Sequence, residues 1–142
     1  MKQTFLTIIM SLVLLCASAA VLRAQNEPKQ PSMEELAANE AERLERLLDL
    51  EGWQVFYVDS TLQHDYLALD AEMKSLQGAK VGNVDLYVTV QDKWYQQIYD
   101  TYQKIFTEEQ WAKYLKSGAA RQQKARDKRR EKAAKNAAKP KN

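Results

Sequence analysis

The chain has 142 residues, with 21 Lys or Arg, 19 Asp or Glu and a single histidine. Its only cysteine, Cys16, lies in an apolar run near the N-terminus, so the remaining chain has no thiol chemistry and no disulfide. The charges are divided unevenly, because residues 25–112 contain 7 Lys/Arg and 17 Asp/Glu whereas residues 113–142 contain 12 and 2. This composition excludes a zinc–thiolate centre in the body and describes an acidic body with a basic tail.

Residues 1–24 have the pattern of a cleaved signal peptide. A basic residue precedes the apolar run, and Leu-Arg-Ala at 22–24 is a tolerable small-residue cleavage site. A retained membrane anchor is the alternative, but the run is short for a span. A lipoprotein requires a small residue before the acylated cysteine, and Leu15 stands there. We expect a secreted mature chain that begins at Gln25, with a disordered, proline-containing leader at residues 25–31.

The first two helices are predicted from capping signals and apolar spacing. A capping box, Ser32-Met33-Glu34-Glu35, opens a helix that ends near residues 49–52. Its apolar positions are Leu36, Ala37, Ala41, Leu44, Leu47 and Leu48. The second helix carries a narrow, heptad-like stripe typical of a coiled-coil seam and ends at Gly78. This stripe consists of Val55, Val58, Leu62, Tyr66, Leu69, Met73 and Leu76.

Residues 84–90, VDLYVTV, follow a loop at 79–83 and fit either a strand or a helix. Their alternation favours a strand, but Tyr87 and Val90 continue the apolar stripe of the next segment, so we predict a helix capped by Asn83. The apolar face of this third helix spans about 180°, wider than a two-helix seam. It comprises Tyr87, Val90, Trp94, Tyr95, Ile98, Tyr99, Tyr102, Ile105 and Phe106. We expect this face to contact more than one neighbour or to leave aromatic surface free.

A corner between the third and fourth helices is predicted around Thr107, a good N-cap. Gln110 completes a capping box with it, and Phe106 and Trp111 are spaced for a hydrophobic staple. No large apolar residue follows Leu115, so residues 119–142 form a basic tail that is either a helical extension or disordered. The sequence therefore predicts an all-α domain at residues 32–118, with four helices in two hairpin-like pairs.

Both corners have the same spacing of an apolar residue, three further residues and a glutamine. The second corner is Phe106-Thr107-Glu108-Glu109-Gln110. The first is Leu50-Glu51-Gly52-Trp53-Gln54, with Glu51 in the place of Thr107. At these corners the chain resembles the Spy family of small periplasmic helical proteins, which includes the CpxP-type stress regulators. The hallmark of that family is a Leu-Thr-x-x-Gln motif that occurs twice at helix junctions. The resemblance also covers the signal peptide, the four-helix plan and the basic tail.

The resemblance implies an antiparallel homodimer, shaped like a curved cradle, that binds unfolded or partly folded envelope proteins without ATP or another cofactor. An envelope-stress regulator that binds one specific sensor partner is an alternative. Some relatives in the family are linked to metal resistance, so a protein that binds divalent metal is a further alternative.

The aromatic residues allow two interpretations. They form the core and a dimer interface in the simpler one. In the other, the outer members Tyr57, Tyr95 and Tyr99 stay partly exposed and contact client segments, because tyrosine has an apolar body and a polar tip.

No catalytic or specific metal site is predicted. His64 is the only histidine, and although Asp65 follows it, the side chains of adjacent residues point apart on a helix. We therefore expect a protein that is not an enzyme. The basic tail lacks the interleaved aromatic residues of a nucleic-acid arm, so we expect weak contact with an anionic envelope surface instead. We also expect each tail to lie along the acidic body of the partner chain and so to stabilise an antiparallel dimer.

Overall fold

The computed structural model describes residues 31–138, and this part of the chain is helical, without a strand. The helices are α1, Met33–Leu48; α2, Gly52–Gly78; α3, Val84–Ile105; and α4, Glu108–Tyr114. A π-helical turn, Leu115–Ala119, joins α4 to α5, Ala120–Ala137. The predicted all-α class is confirmed for these residues. The predicted signal peptide and all but the last residue of the predicted leader lie outside them.

Helix α1 begins at the predicted capping box. The Ser32 hydroxyl accepts the Glu35 N–H at 3.1 Å, and the Glu35 carboxylate accepts the Ser32 N–H at 2.8 Å. One row of α1 is buried against α2, and this row consists of Ala37, Ala41, Leu44 and Leu48. Leu36 and Leu47 flank that row and are exposed, because the seam covers only the narrow row of residues between them.

The residues of the predicted apolar stripe of α2 differ in how deeply they are buried. Val58 and Leu62 are buried in the core, whereas Leu69, Met73 and Leu76 are only half-buried. The start of α1 lies beside the middle of α2, where the Gln63 amide contacts the Glu34 carbonyl at 3.5 Å. The last turns of α2 extend beyond that point, so α1 does not cover their apolar side chains.

Helix α3 begins at Val84, as predicted, and not as a strand. The Asn83 side chain accepts the Asp85 N–H at 3.0 Å, which confirms the predicted cap. The wide aromatic face of α3 contacts several elements, also as predicted. Tyr95 meets Tyr66 of α2 with ring centroids 6.3 Å apart, and Tyr99 meets Trp111 of α4 at 4.9 Å.

The chain is kinked at Gly118, whose φ of 119° lies in the region that favours glycine. Beyond the kink, α5 lies alongside α3. The Arg129 guanidinium makes two hydrogen bonds of 2.6 Å to the Asp92 carboxylate, and the Gln123 amide donates to Gln96 at 2.9 Å. The basic segment therefore pairs with the acidic body within one chain. In the described part of the protein, no helix is both long and apolar enough to cross a membrane.

Candidate functional site

The first corner follows α1, where Asp49 adopts a left-handed conformation with φ 52°. The Gln54 side-chain oxygen accepts the Glu51 N–H at 2.9 Å and so satisfies one free donor at the start of α2. The Glu51 carboxylate accepts the Trp53 indole N–H at 2.8 Å, and it approaches the Gln54 N–H in a capping-box arrangement without forming a full side-chain capping hydrogen bond. Glu51 is thus the weak cap that the sequence indicates.

The second corner contains the complete capping box predicted from the sequence. The Thr107 hydroxyl accepts the Gln110 N–H at 3.3 Å, and the Gln110 side-chain oxygen accepts the Thr107 N–H at 3.0 Å. The two rings of the predicted staple both lie against Tyr114, with centroids 5.7 Å away for Phe106 and 5.5 Å away for Trp111. This local chemistry ends α3 and starts α4.

The glutamines of the two corners bind each other. The Gln54 amide nitrogen donates to the Gln110 side-chain oxygen at 2.7 Å, and the Gln110 amide nitrogen donates to the Gln54 oxygen at 3.0 Å. Each nitrogen also donates to a backbone carbonyl of the opposite corner, at 3.0 Å for Ile105 and 3.4 Å for Asp49. Both side chains are buried, with 1% and 9% of their surface exposed. Every donor of the two amide groups is therefore used.

The hydrogen bonds of the two corners follow the same pattern, with an approximate two-fold symmetry about the glutamine pair. In each corner, the glutamine bonds to the N–H of the residue three positions before it. In each corner, the carbonyl five positions before the glutamine accepts the opposite amide. The sequence contains the repeated spacing, but the pairing of the two glutamines was not predicted from it. A signal was present, because glutamine in a capping box leaves an amide group whose two donors need acceptors when buried.

Aromatic rings fill the second corner around Tyr102, which is fully buried. Its ring lies 5.0 Å from Phe106 and 5.6 Å from Tyr114 between centroids. Burial raises the pKa of Tyr102 well above its ordinary value and the pKa of Tyr114 to about 12. Among residues 31–138, the Tyr102 hydroxyl finds no hydrogen-bond partner. The second corner is therefore stabilised by apolar packing against this aromatic cluster.

The first turns of α2 carry an exposed aromatic patch formed by Trp53, Phe56 and Tyr57. Their exposed fractions are 52%, 66% and 53%. The Tyr57 ring lies 6.2 Å from Trp53 and 5.7 Å from Phe56 between centroids. Of the candidate contact residues, Tyr57 belongs to this patch, whereas Tyr95 and Tyr99 are half-buried. Sequence reasoning missed Trp53 and Phe56, although both lie outside the buried stripe of α2.

The contact between His64 and Asp65 corrects one expectation. The His64 Nδ1 lies 2.7 Å from an Asp65 carboxylate oxygen, so these adjacent side chains do meet. Asp65 is buried and also accepts from the Gln97 amide of α3 at 2.8 Å, whereas the His64 side chain is exposed. Residues 31–138 contain no cluster of three or more His, Cys, Asp or Glu arranged to hold a metal ion.

The fold and the corners define a small helical protein in which a buried glutamine pair joins two helix junctions. No protein-family model, curated protein or solved structure matches this chain. Membership of the Spy family therefore stays a prediction from the two corner motifs.

The two caps are expected to differ in their contribution to stability. Replacing Thr107 with alanine should lower the free energy of unfolding by about 1 kcal/mol, because α4 loses its N-cap. Replacing Glu51 with alanine should change it by less than about 0.5 kcal/mol, because its side chain makes no full capping hydrogen bond. Denaturant melts measure both values. Equal losses for the two variants would contradict the assignment of Thr107 as a cap.

Proposed function

We propose that this protein is a Spy-like periplasmic chaperone that binds unfolded or partly folded envelope proteins without ATP. The observation that carries the proposal is the aromatic patch of Trp53, Phe56 and Tyr57. Contiguous exposed aromatic side chains are uncommon on soluble proteins without a binding role, since they leave apolar area in water. Aromatic rings also supply much contact area for little loss of side-chain entropy.

The position of the patch supports this function. It begins directly at the first corner, where the buried glutamine pair fixes the start of α2. The Trp53 indole is held by its hydrogen bond to Glu51, which lowers the entropy lost on binding. Glu51 and Asp59 flank the patch along the chain, so we expect a preference for segments that combine apolar and basic side chains.

The proposal includes the arrangement of helices in two hairpin-like pairs and an antiparallel homodimer. The described domain is small, and several of its large apolar side chains stay exposed, so association would add buried apolar surface. A dimer would also present two copies of the patch to one client, which raises the strength of binding through a high effective concentration.

An aggregation-suppression assay tests the role of the patch. We expect the wild-type protein to suppress aggregation of a reduced, unfolded substrate protein. The triple variant Trp53→Ser, Phe56→Ser and Tyr57→Ser should require at least about fivefold more protein for the same effect, because it lacks the aromatic contacts.

A matched control is available at the start of α3, where Val84 and Leu86 are exposed but isolated from the patch in sequence. The double variant Val84→Ser and Leu86→Ser should behave as the wild type. Equal suppression by wild type and patch variant would exclude the patch as the client surface. A wild-type protein without any suppressing activity would contradict the chaperone function and favour a regulator that binds one sensor partner.

A further inference from the structure

A groove of about 700 Å³ lies between α3 and α5, apart from the aromatic patch. This α3–α5 groove has the size of a typical small-molecule site, about 300–1,000 Å³. Val88 of α3 and Ala133 of α5 supply apolar lining. The ion pair of Asp92 with Arg129 and the buried side chain of Arg126 also line it. The groove thus combines an apolar wall with charged groups.

The charge of the groove is positive. Five cationic and two acidic side chains line it, and the acidic ones are Asp85 and Asp92. Three of the five cations already have a carboxylate partner: Lys93 with Glu72, Arg129 with Asp92 through two of its nitrogens, and Arg130 with Asp127. Arg126 and Lys132 therefore face the single remaining carboxylate of Asp85. Lys132 lines the groove without an ion pair in the described part of the chain. The groove therefore attracts an anion rather than a cation.

Arg126 provides the observation that points to a ligand. Only 6% of its surface is exposed, and its guanidinium lies 5.5 Å from the centre of the Tyr99 ring. One terminal nitrogen donates to the Gln123 side-chain oxygen at 2.6 Å, whereas the buried Nε has no hydrogen-bond partner in the described part of the chain. No carboxylate of residues 31–138 forms an ion pair with it. A buried cation without an anionic partner is costly, and a bound anion would remove that cost.

We infer that the α3–α5 groove binds a small organic anion. Its carboxylate or phosphate group pairs with Arg126, since a guanidinium offers parallel donors that match either acid. Its apolar portion lies along Val88 and Ala133. This site is independent of the proposed chaperone function, because it shares no residue with the aromatic patch.

Isothermal titration calorimetry on the mature chain from Gln25 to Asn142 tests the inference with four probes of equal chain length. Decanoate and decyl phosphate carry the two candidate acids, decanol is neutral and decylammonium is cationic. We expect one molecule of anion per chain, with decanol and decylammonium binding at least about tenfold more weakly. The better of the two anions identifies the acid group that the site prefers. Equal binding of decanol, or no binding of either anion, would overturn the inference.

Variants on α5 locate the site. Arg126→Gln should weaken binding of the preferred anion at least about tenfold, whereas Arg121→Gln, an exposed residue outside the groove, should leave it unchanged. If Arg126→Gln does not fold by circular dichroism, Lys132→Gln serves in its place with an expected loss of about threefold. The serine triple variant of the aromatic patch should bind the anion as the wild type does. Unchanged affinity in the folded groove variants, or lost affinity in the patch variant, would contradict this site.

Discussion

Replacing Gln110 with leucine is expected to lower the free energy of unfolding by about 4 kcal/mol, because several buried polar groups lose their partners at once. The Thr107 N–H loses the oxygen that it donates to, and the Gln54 amide loses both a donor and an acceptor. Each buried polar group left without a partner costs about 1–3 kcal/mol. Leucine has a similar volume, so the loss would report on hydrogen bonds more than on packing.

A double-mutant cycle with Gln54→Leu measures how strongly the two glutamines depend on each other. The two single variants should each be strongly destabilised, because each single change leaves the other amide without its partner. The double variant should therefore lose clearly less free energy of unfolding than the sum of the two single losses. Gln103→Leu is the matched control, since Gln103 is exposed on α3, and its effect should stay within about 0.5 kcal/mol. Additive losses in urea melts would mean that the two corners are stabilised independently.

These corners show what a sequence can predict. The Thr107 capping box depends on residues three positions apart, so local spacing was enough to find it. The bond between Gln54 and Gln110 joins residues 56 positions apart, and local spacing contains no information about that distance. The repeated motif is visible in the sequence. The reciprocal hydrogen bonds between its two glutamines, however, depend on how α1 to α4 pack. Long-range polar pairing is therefore the part that the sequence analysis missed.

Helix α5 shows a second kind of packing that apolar sequence patterns do not predict. Its sequence has no large apolar residue, so hydrophobic periodicity assigned it no core face. The structure instead buries Arg126 over the Tyr99 ring and pairs Arg129 with Asp92. A cation above an aromatic face and the aliphatic stem of arginine both contribute packing that apolar patterns do not count. The location of the α3–α5 groove could not be predicted for the same reason.

Alkaline pH is expected to destabilise the protein strongly, because its buried tyrosines stay neutral when folded. Burial raises the pKa of Tyr102 well above 10.0 and that of Tyr114 from 10.0 to about 12. The tyrosine pKa in the unfolded chain is about 10. The stabilisation from these groups is therefore fully present below pH 10 and is lost as the pH rises through the folded-state pKa values. Tyr66 and Tyr95 have raised pKa values as well, but they are more exposed, so solvent screening reduces their contribution.

Each tyrosine that keeps its proton only in the folded state lowers stability by up to about 1.4 kcal/mol per pH unit above pH 10. We expect a loss of about 3 kcal/mol between pH 10 and 11.5 in urea melts, mainly from Tyr102 and Tyr114. Tyr102→Phe should flatten this slope, and it should raise stability at pH 7 by about 1 kcal/mol, since it removes a buried hydroxyl without a partner. Tyr57→Phe is the control, because Tyr57 is exposed and should leave the slope unchanged. A Tyr102→Phe variant with the wild-type slope would show that another group causes the alkaline loss.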